Sequence, residues 1–158
     1  DQTHQALAYW VNDATLETST GINVVDVRDV ATAAVRIVDR AVIGERFVLC
    51  SDFLPWDDMG DFLDDLVGGA VPRQPIPGAA LRALGAVGDA APSLVSRVPF
   101  PLTREAMMYA TRMVPTDGHR AAAGLEFTYT PARTTMLDAL RWLSREGHLD
   151  QEWPGLTE

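Results

Sequence analysis

The sequence contains no lysine: all thirteen of its basic residues are arginine. Chemistry that needs a lysine ammonium or a lysine Schiff base is therefore closed to this chain. Cysteine is almost absent too. Cys50 stands alone, so no internal disulfide can form, which fits a reducing, cytoplasmic setting. It ends an apolar run, where a buried and unreactive thiol is expected. Histidine is scarce: His4, His119 and His148 lie far apart, and no H-E-x-x-H or similar spacing joins them. Exposed or capping roles account for all three. No apolar run approaches the roughly 18 residues of a membrane span. Positive charge is in deficit as well. A net charge of −9 opposes both a phosphate-tracking nucleic-acid binder and attraction to an anionic membrane surface. No secretory signal and no initiating methionine precede Asp1. Initiator methionine is removed before small residues, so Asp1 is not expected to open the gene product.

What remains is enough for one domain: 158 residues, 47% of them hydrophobic. The stretch GINVVDVRDVATAAVRIVDRA, Gly21 to Ala41, changes period midway. Ile22, Val24, Val25 and Val27 read as a mostly buried strand, whereas Val30, Ala34, Ile37, Val38 and Ala41 recur at helical spacing. Asp29, at the junction, is expected to cap that helix. A short helix over 4–11 precedes this unit, and a second short strand over 45–50 follows Gly44. Pro55 suits the first position of a helix with an apolar face of Met59, Phe62, Leu63 and Leu66, ended by Gly68 and Gly69. Residues 71–78 and 98–101 read as extended connectors, because proline disfavours helix in its predecessor. A small-residue helix over 79–87 lies between them. Thr103 can cap a helix bearing Met107, Met108, Tyr109 and Ala110. Asp117 opens a short helix through Ala123. Thr135 and Asp138 form a capping-box-like pair for the last helix, whose face is Met136, Leu137, Leu140 and Leu143. The inventory is two or three strands and about six helices. Two short strands make no stable sheet alone, so they are expected to join one supplied from elsewhere.

Candidate chemistry is thin. Gly85 and Gly88 follow no strand and lack G-x-G-x-x-G spacing, so they make no phosphate loop. Asp57, Asp58, Asp61, Asp64 and Asp65 fall around a helix surface and read as a solvated face rather than a calcium loop. Ser51, Ser93, Ser96 and Ser144 have no G-x-S-x-G context. Tyr129 and Arg133 mimic a Y-x-x-x-K spacing with the wrong base and with Pro131 between them. Trp10, Trp56, Phe100, Tyr109 and Trp142 are expected mainly in the core. Phe100 and Met108 also flank a proline-rich connector able to border a pocket. No self-contained active site emerges.

Five segments carry a resemblance: NVVDVRDVATAAVRIV, GERFVLCSD, PLTREAMMYATR, TDGHRAAAGLEFTYTPART and MLDALRWLSREG, in that order. Together they resemble the C-terminal half of an extended short-chain dehydrogenase/reductase, in the NAD-dependent epimerase/dehydratase group and nearest its dihydroflavonol-reductase-like members. The order Gly124-Leu125-Glu126-Phe127, and Arg120 where lysine is common, depart from that pattern. The resemblance implies an α/β fold: a helix-rich lobe whose few strands join a Rossmann-type parallel sheet in a missing N-terminal half. That half would hold NAD or NADP on its glycine-rich fingerprint and carry the tyrosine–lysine catalytic pair. The present chain would then bind no cofactor alone and would lack catalytic residues. It would shape the pocket for a small carbonyl or alcohol substrate, with residues 46–50 returning a strand to the large sheet. A homodimer would be built largely through the other lobe. By the same resemblance Arg28 anchors local structure, and Arg112, Met108 and Phe100, then Tyr109 and Trp10, are the pocket-lining positions. The alternative is a non-catalytic binding or interaction module that has lost the cofactor lobe. Surface quality separates the two, since a lobe parted from its partner exposes an apolar patch. INVV with FVLC is too apolar for an unpaired edge, which favours the first reading.

Overall fold

A computed structural model describes residues 2–18, 20–90 and 102–157, and only the backbone of Gln2 and Leu16. The connector expected over 98–101, Phe100 within it, Ser93 and Ser96 lie outside the described residues. The architecture is α/β and dominated by helices.

Three helices build the main core: α1 (Gln2–Asn12), α3 (Trp56–Val67) and α7 (Ala132–Arg145). Their apolar residues recur at helical spacing and meet at one centre. Leu7 and Val11, Met59 and Leu63, Leu140 and Leu143 are all buried there. Each such side chain contributes roughly 1.5–3 kcal/mol by leaving water. Trp153 and Leu156, around a 3₁₀ turn (Pro154–Leu156), close the bottom. The turn reaches α3 through a glycine pair: Gly68 takes a left-handed φ of 72° at the C-cap of α3, and its amide donates to the Asp64 carbonyl over 2.9 Å. Across the other end, the Asn12 side chain donates to the His148 carbonyl (3.0 Å) and accepts from the Asp150 amide (3.1 Å). Among the described residues, no helix is long and apolar enough to cross a membrane.

Two separate two-stranded sheets lie beside this core. β1 (Thr15–Glu17) runs parallel to β4 (Arg73–Pro75), with Thr15 opposite Arg73. β2 (Gly21–Val24) runs antiparallel to β3 (Asp52–Pro55), with Gly21 opposite Pro55. Residues 45–50, expected as a strand, form no ladder among the described residues. Ser51 already donates to the Val24 carbonyl, and 52–55 occupy the edge of β2.

The strand expected through Val27 stops at Val24. Val27 is the first residue of α2 (Val27–Asp39) and is 77% exposed. The cap is Asp26, not Asp29: its carboxylate accepts from the Arg28 amide over 2.8 Å. Asp29 sits inside the first turn and turns to the loop before α7, accepting from the Thr130 amide (2.7 Å) and hydroxyl (3.0 Å). Pro55 ends β3 and caps α3 from outside. Thr135 and Asp138 lie within α7, which begins at Ala132, and serve other partners. The α7 N-terminus is met instead by Asp52, which accepts from the Ala132 amide over 2.8 Å.

Two further helices pair off. α4 (Gly78–Ala90) packs on α5 (Arg104–Arg112), whose Thr103 cap accepts from the Ala106 amide (3.1 Å). Gly85 and Gly88 are packing residues: a Cβ on Gly85 would fall 2.6 Å from the Thr103 carbonyl oxygen. α6 (His119–Leu125) follows Gly118, with Asp117 accepting from the His119 amide over 2.7 Å.

Candidate functional site

Of the residues expected to line a pocket, the structure groups three. Met108, Tyr109 and Arg112 ride on α5, with Met108 and Arg112 one turn apart on the same face. Met108 is half-buried, whereas Tyr109 and Arg112 are exposed. Trp10 stands elsewhere: it lies on α1, edge-on to Trp56 at 5.0 Å between ring centroids, and packs against the main core.

The C-terminal end of α5 is pinned by β2. The Thr20 hydroxyl donates to the Met113 carbonyl, and the Asn23 amide donates to the Val114 carbonyl at 3.0 Å. This brings α5 beside the first turn of α4. There the Arg82 guanidinium donates to the Thr111 hydroxyl (3.1 Å), which in turn donates to the Met107 carbonyl (2.7 Å). Thr18 joins them: its hydroxyl oxygen lies 3.3 Å from the position a Cβ on Gly78 would occupy, and Arg82 Nη1 lies 3.1 Å from it. The side chains of Thr18, Arg82 and Thr111 thus surround one glycine. The sequence reading missed this group, because its members are 64 and 29 residues apart in pairs and match no motif. One local signal was present, namely a helix opening on Pro77-Gly78 with neither a capping side chain nor an acid in its first turn.

A second polar group ties α2 to α7. Arg28 grips Asp26 with two bonds, Nε to Oδ1 at 2.8 Å and Nη2 to Oδ2 at 2.6 Å, and reaches Asp138 at 2.7 Å. Thr135 donates to Asp26 at 2.9 Å. The Arg28 bonds, above all, hold the Asp26 carboxyl well below the usual carboxylate range. Arg28 is committed to local structure and is not presented to a ligand.

A cleft of about 400 Å³ opens between α1 and the end of α7. Trp142 stands in it between two histidines, with ring centroids 5.0 Å from His4 and 5.6 Å from His148. Among the described residues, no group of three or more His, Cys, Asp or Glu side chains is arranged to hold a metal ion.

Tyr129 and Cys50 are closed off from chemistry. The Tyr129 hydroxyl donates to the Gly118 carbonyl at 3.1 Å, and burial pushes its pKa up, the wrong direction for a phenolate base. Arg133 pairs with Asp65 instead. The Cys50 thiol is buried and donates to the Asp52 carbonyl at 3.4 Å; desolvation raises its pKa as well. Iodoacetamide at pH 8 should therefore label native protein at least tenfold more slowly than urea-unfolded protein. Equal rates would mean that the thiol is accessible.

The outer face of α2 is an uncovered apolar feature among the described residues. Val27, Val30, Ala31, Ala34 and Val38 follow helical spacing along one stripe, all exposed, with Val38 at 76%. Ile43 (89% exposed) and Val48 (58%) extend the apolar surface into the unladdered run over 45–50.

No protein-family model matches the chain, and no curated protein matches it. Among solved structures, the chain is similar to the crystal structure of gox2253, with a TM-score of 0.71 and 22% sequence identity. The match covers 95% of this chain and 46% of that one, so the chain spans less than half the length of gox2253. At this identity the likeness speaks for the fold alone.

Proposed function

We propose that the chain is the substrate-binding half of an NAD(P)-dependent reductase or epimerase of the extended short-chain type, working in the cytoplasm. The observation that carries the reading is the uncovered stripe of α2. A stable lobe does not leave a whole apolar helix face in water unless another surface covers it. The unladdered run over 45–50 continues the stripe and offers backbone groups that a neighbouring sheet can pair. The similarity in fold to a chain more than twice as long supports an occupant of domain size. That occupant is the Rossmann lobe, which supplies the bound NAD or NADP and the tyrosine–lysine pair for hydride transfer. This half contributes the α5 face, where Met108, Tyr109 and Arg112 meet a small carbonyl or alcohol substrate.

The test is to sequence the reading frame upstream of the Asp1 codon, make the full translation product, and titrate it with NADH and NADPH by fluorescence. The full product should bind one of them saturably, and the 158-residue chain neither. A full product that binds neither, or a frame that opens at Asp1, overturns the reading in favour of a stand-alone interaction module.

A further inference from the structure

Helix N-termini carry partial positive charge and open amides, and several helices of this fold answer that charge with an acid. α2, α3 and α5 bear Asp29, Asp57 with Asp58, and Glu105 in their first turns, and α7 borrows the Asp52 carboxylate. α4, like α1, has no acid in its first turn, and Pro77 before α4 has no side-chain oxygen to cap with. The Ala80 and Leu81 amides donate to the Pro77 carbonyl, so those of Gly78 and Ala79 precede the first bond of the helix.

The side chains around this turn make the imbalance larger. Arg82 folds back over Gly78, placing a full positive charge on an already positive end. Among the described residues its recorded partner is the neutral Thr111 hydroxyl, and no carboxylate forms an ion pair with it. Thr18 is 6% exposed, and among the described residues its hydroxyl has no hydrogen-bond partner. A buried unpaired hydroxyl beside an uncompensated guanidinium is a costly arrangement for a fold to keep without a use.

We propose that the first turn of α4 is an oxyanion-binding site, taking a phosphate or carboxylate group of a small ligand. Arg82 supplies charge and a planar pair of donors, and the Gly78 and Ala79 amides supply backbone donors. The Thr18 hydroxyl adds a further donor, while that of Thr111, its proton given to the Met107 carbonyl, holds Arg82 in place. The absence of a side chain on Gly78 is part of the site, since a Cβ there would crowd Arg82 Nη1, Thr111 and Thr18 at 3.1–3.3 Å. The protein's net charge of −9 repels anions at long range, so recognition must come from these local donors. The proposal stands apart from the reductase reading; where both hold, the substrate carries the anionic group.

The experiment is a titration of the ¹⁵N-labelled chain with inorganic phosphate, and separately with acetate, at ionic strength fixed by chloride. The amides of Gly78 and Ala79 should shift saturably, while the first-turn amides of α3 and α5 stay in place. Arg82→Gln should weaken binding at least tenfold. Thr18→Val should weaken it severalfold while leaving the melting temperature of the anion-free protein unchanged or higher, because the lost hydroxyl had no partner. Phosphate alone saturating assigns a phosphoryl group; acetate saturating too admits a carboxylate. No saturable shift with either anion, a response that survives Arg82→Gln, or a much lower melting temperature for Thr18→Val would overturn the proposal.

Discussion

Asp26→Asn is expected to lower stability by about 3 kcal/mol at pH 7 and to flatten the acid limb of the unfolding profile. Asp26 is 2% exposed and accepts four hydrogen bonds: two from the Arg28 guanidinium, one from the Arg28 amide as helix cap, and one from Thr135. Asparagine keeps one acceptor oxygen and points an NH₂ group at the other donors. Arg28 itself is exposed, so water screens its charge, and the figure rests on the buried acceptor side and the cap. The pH dependence has a definite sign. The folded carboxyl titrates below its unfolded value, so the unfolded chain takes up the proton first. This contribution is complete above about pH 4 and is lost as pH falls from there toward the folded value. Urea unfolding of both proteins at pH 7 and pH 3 measures it: the gap between them should shrink at pH 3. A gap below 1 kcal/mol, or one that ignores pH, would remove Asp26 from this role.

Gly88→Ala should be destabilising by about 3 kcal/mol, opposite in sign to the gain that alanine gives at an exposed helix position. A Cβ on Gly88 would lie 1.7 Å from the Leu102 carbonyl oxygen. That atom belongs to the backbone, so no rotamer change relieves the clash, and α4 and α5 must separate. Thr111, Met108 and Arg112 move with α5, so the contact between Arg82 and Thr111 should open as well. Thermal and urea unfolding read the first effect; the phosphate response of Gly78 reads the second. A neutral or stabilising Gly88→Ala would show that the helices do not approach as closely as described.

The same glycine shows why parts of the fold were legible in the sequence and parts were not. Met59, Leu63 and Leu66, or Met136, Leu140 and Leu143, announce their helices by spacing alone, and those faces do form the core. Thr103 caps its helix as its position implies. By contrast, D-V-R-D offers two caps three residues apart, and the choice between Asp26 and Asp29 is made by Thr130 and Thr135, about a hundred residues later. Strands were harder still. VLC and DFLP are both plausible partners for β2, and pairing, not composition, selects 52–55. Of the oxyanion group the sequence shows only the helix opening on Pro77-Gly78: Thr18, Arg82 and Thr111 are unremarkable until three segments converge on Gly78.

The bridge from Asn12 to His148 and Asp150 has a consequence for how the chain is made. α1 leaves the ribosome long before α7, whose Leu140 and Leu143 share one core with its Leu7 and Val11. Until α7 emerges, α1 stays amphipathic and lacks that part of its cover. Contacts spanning 136 and 138 residues close the structure, and closing loops of that length slows the final step. Core formation here therefore waits for α7 to be made, and the intervening nascent segment is open to chaperones until then.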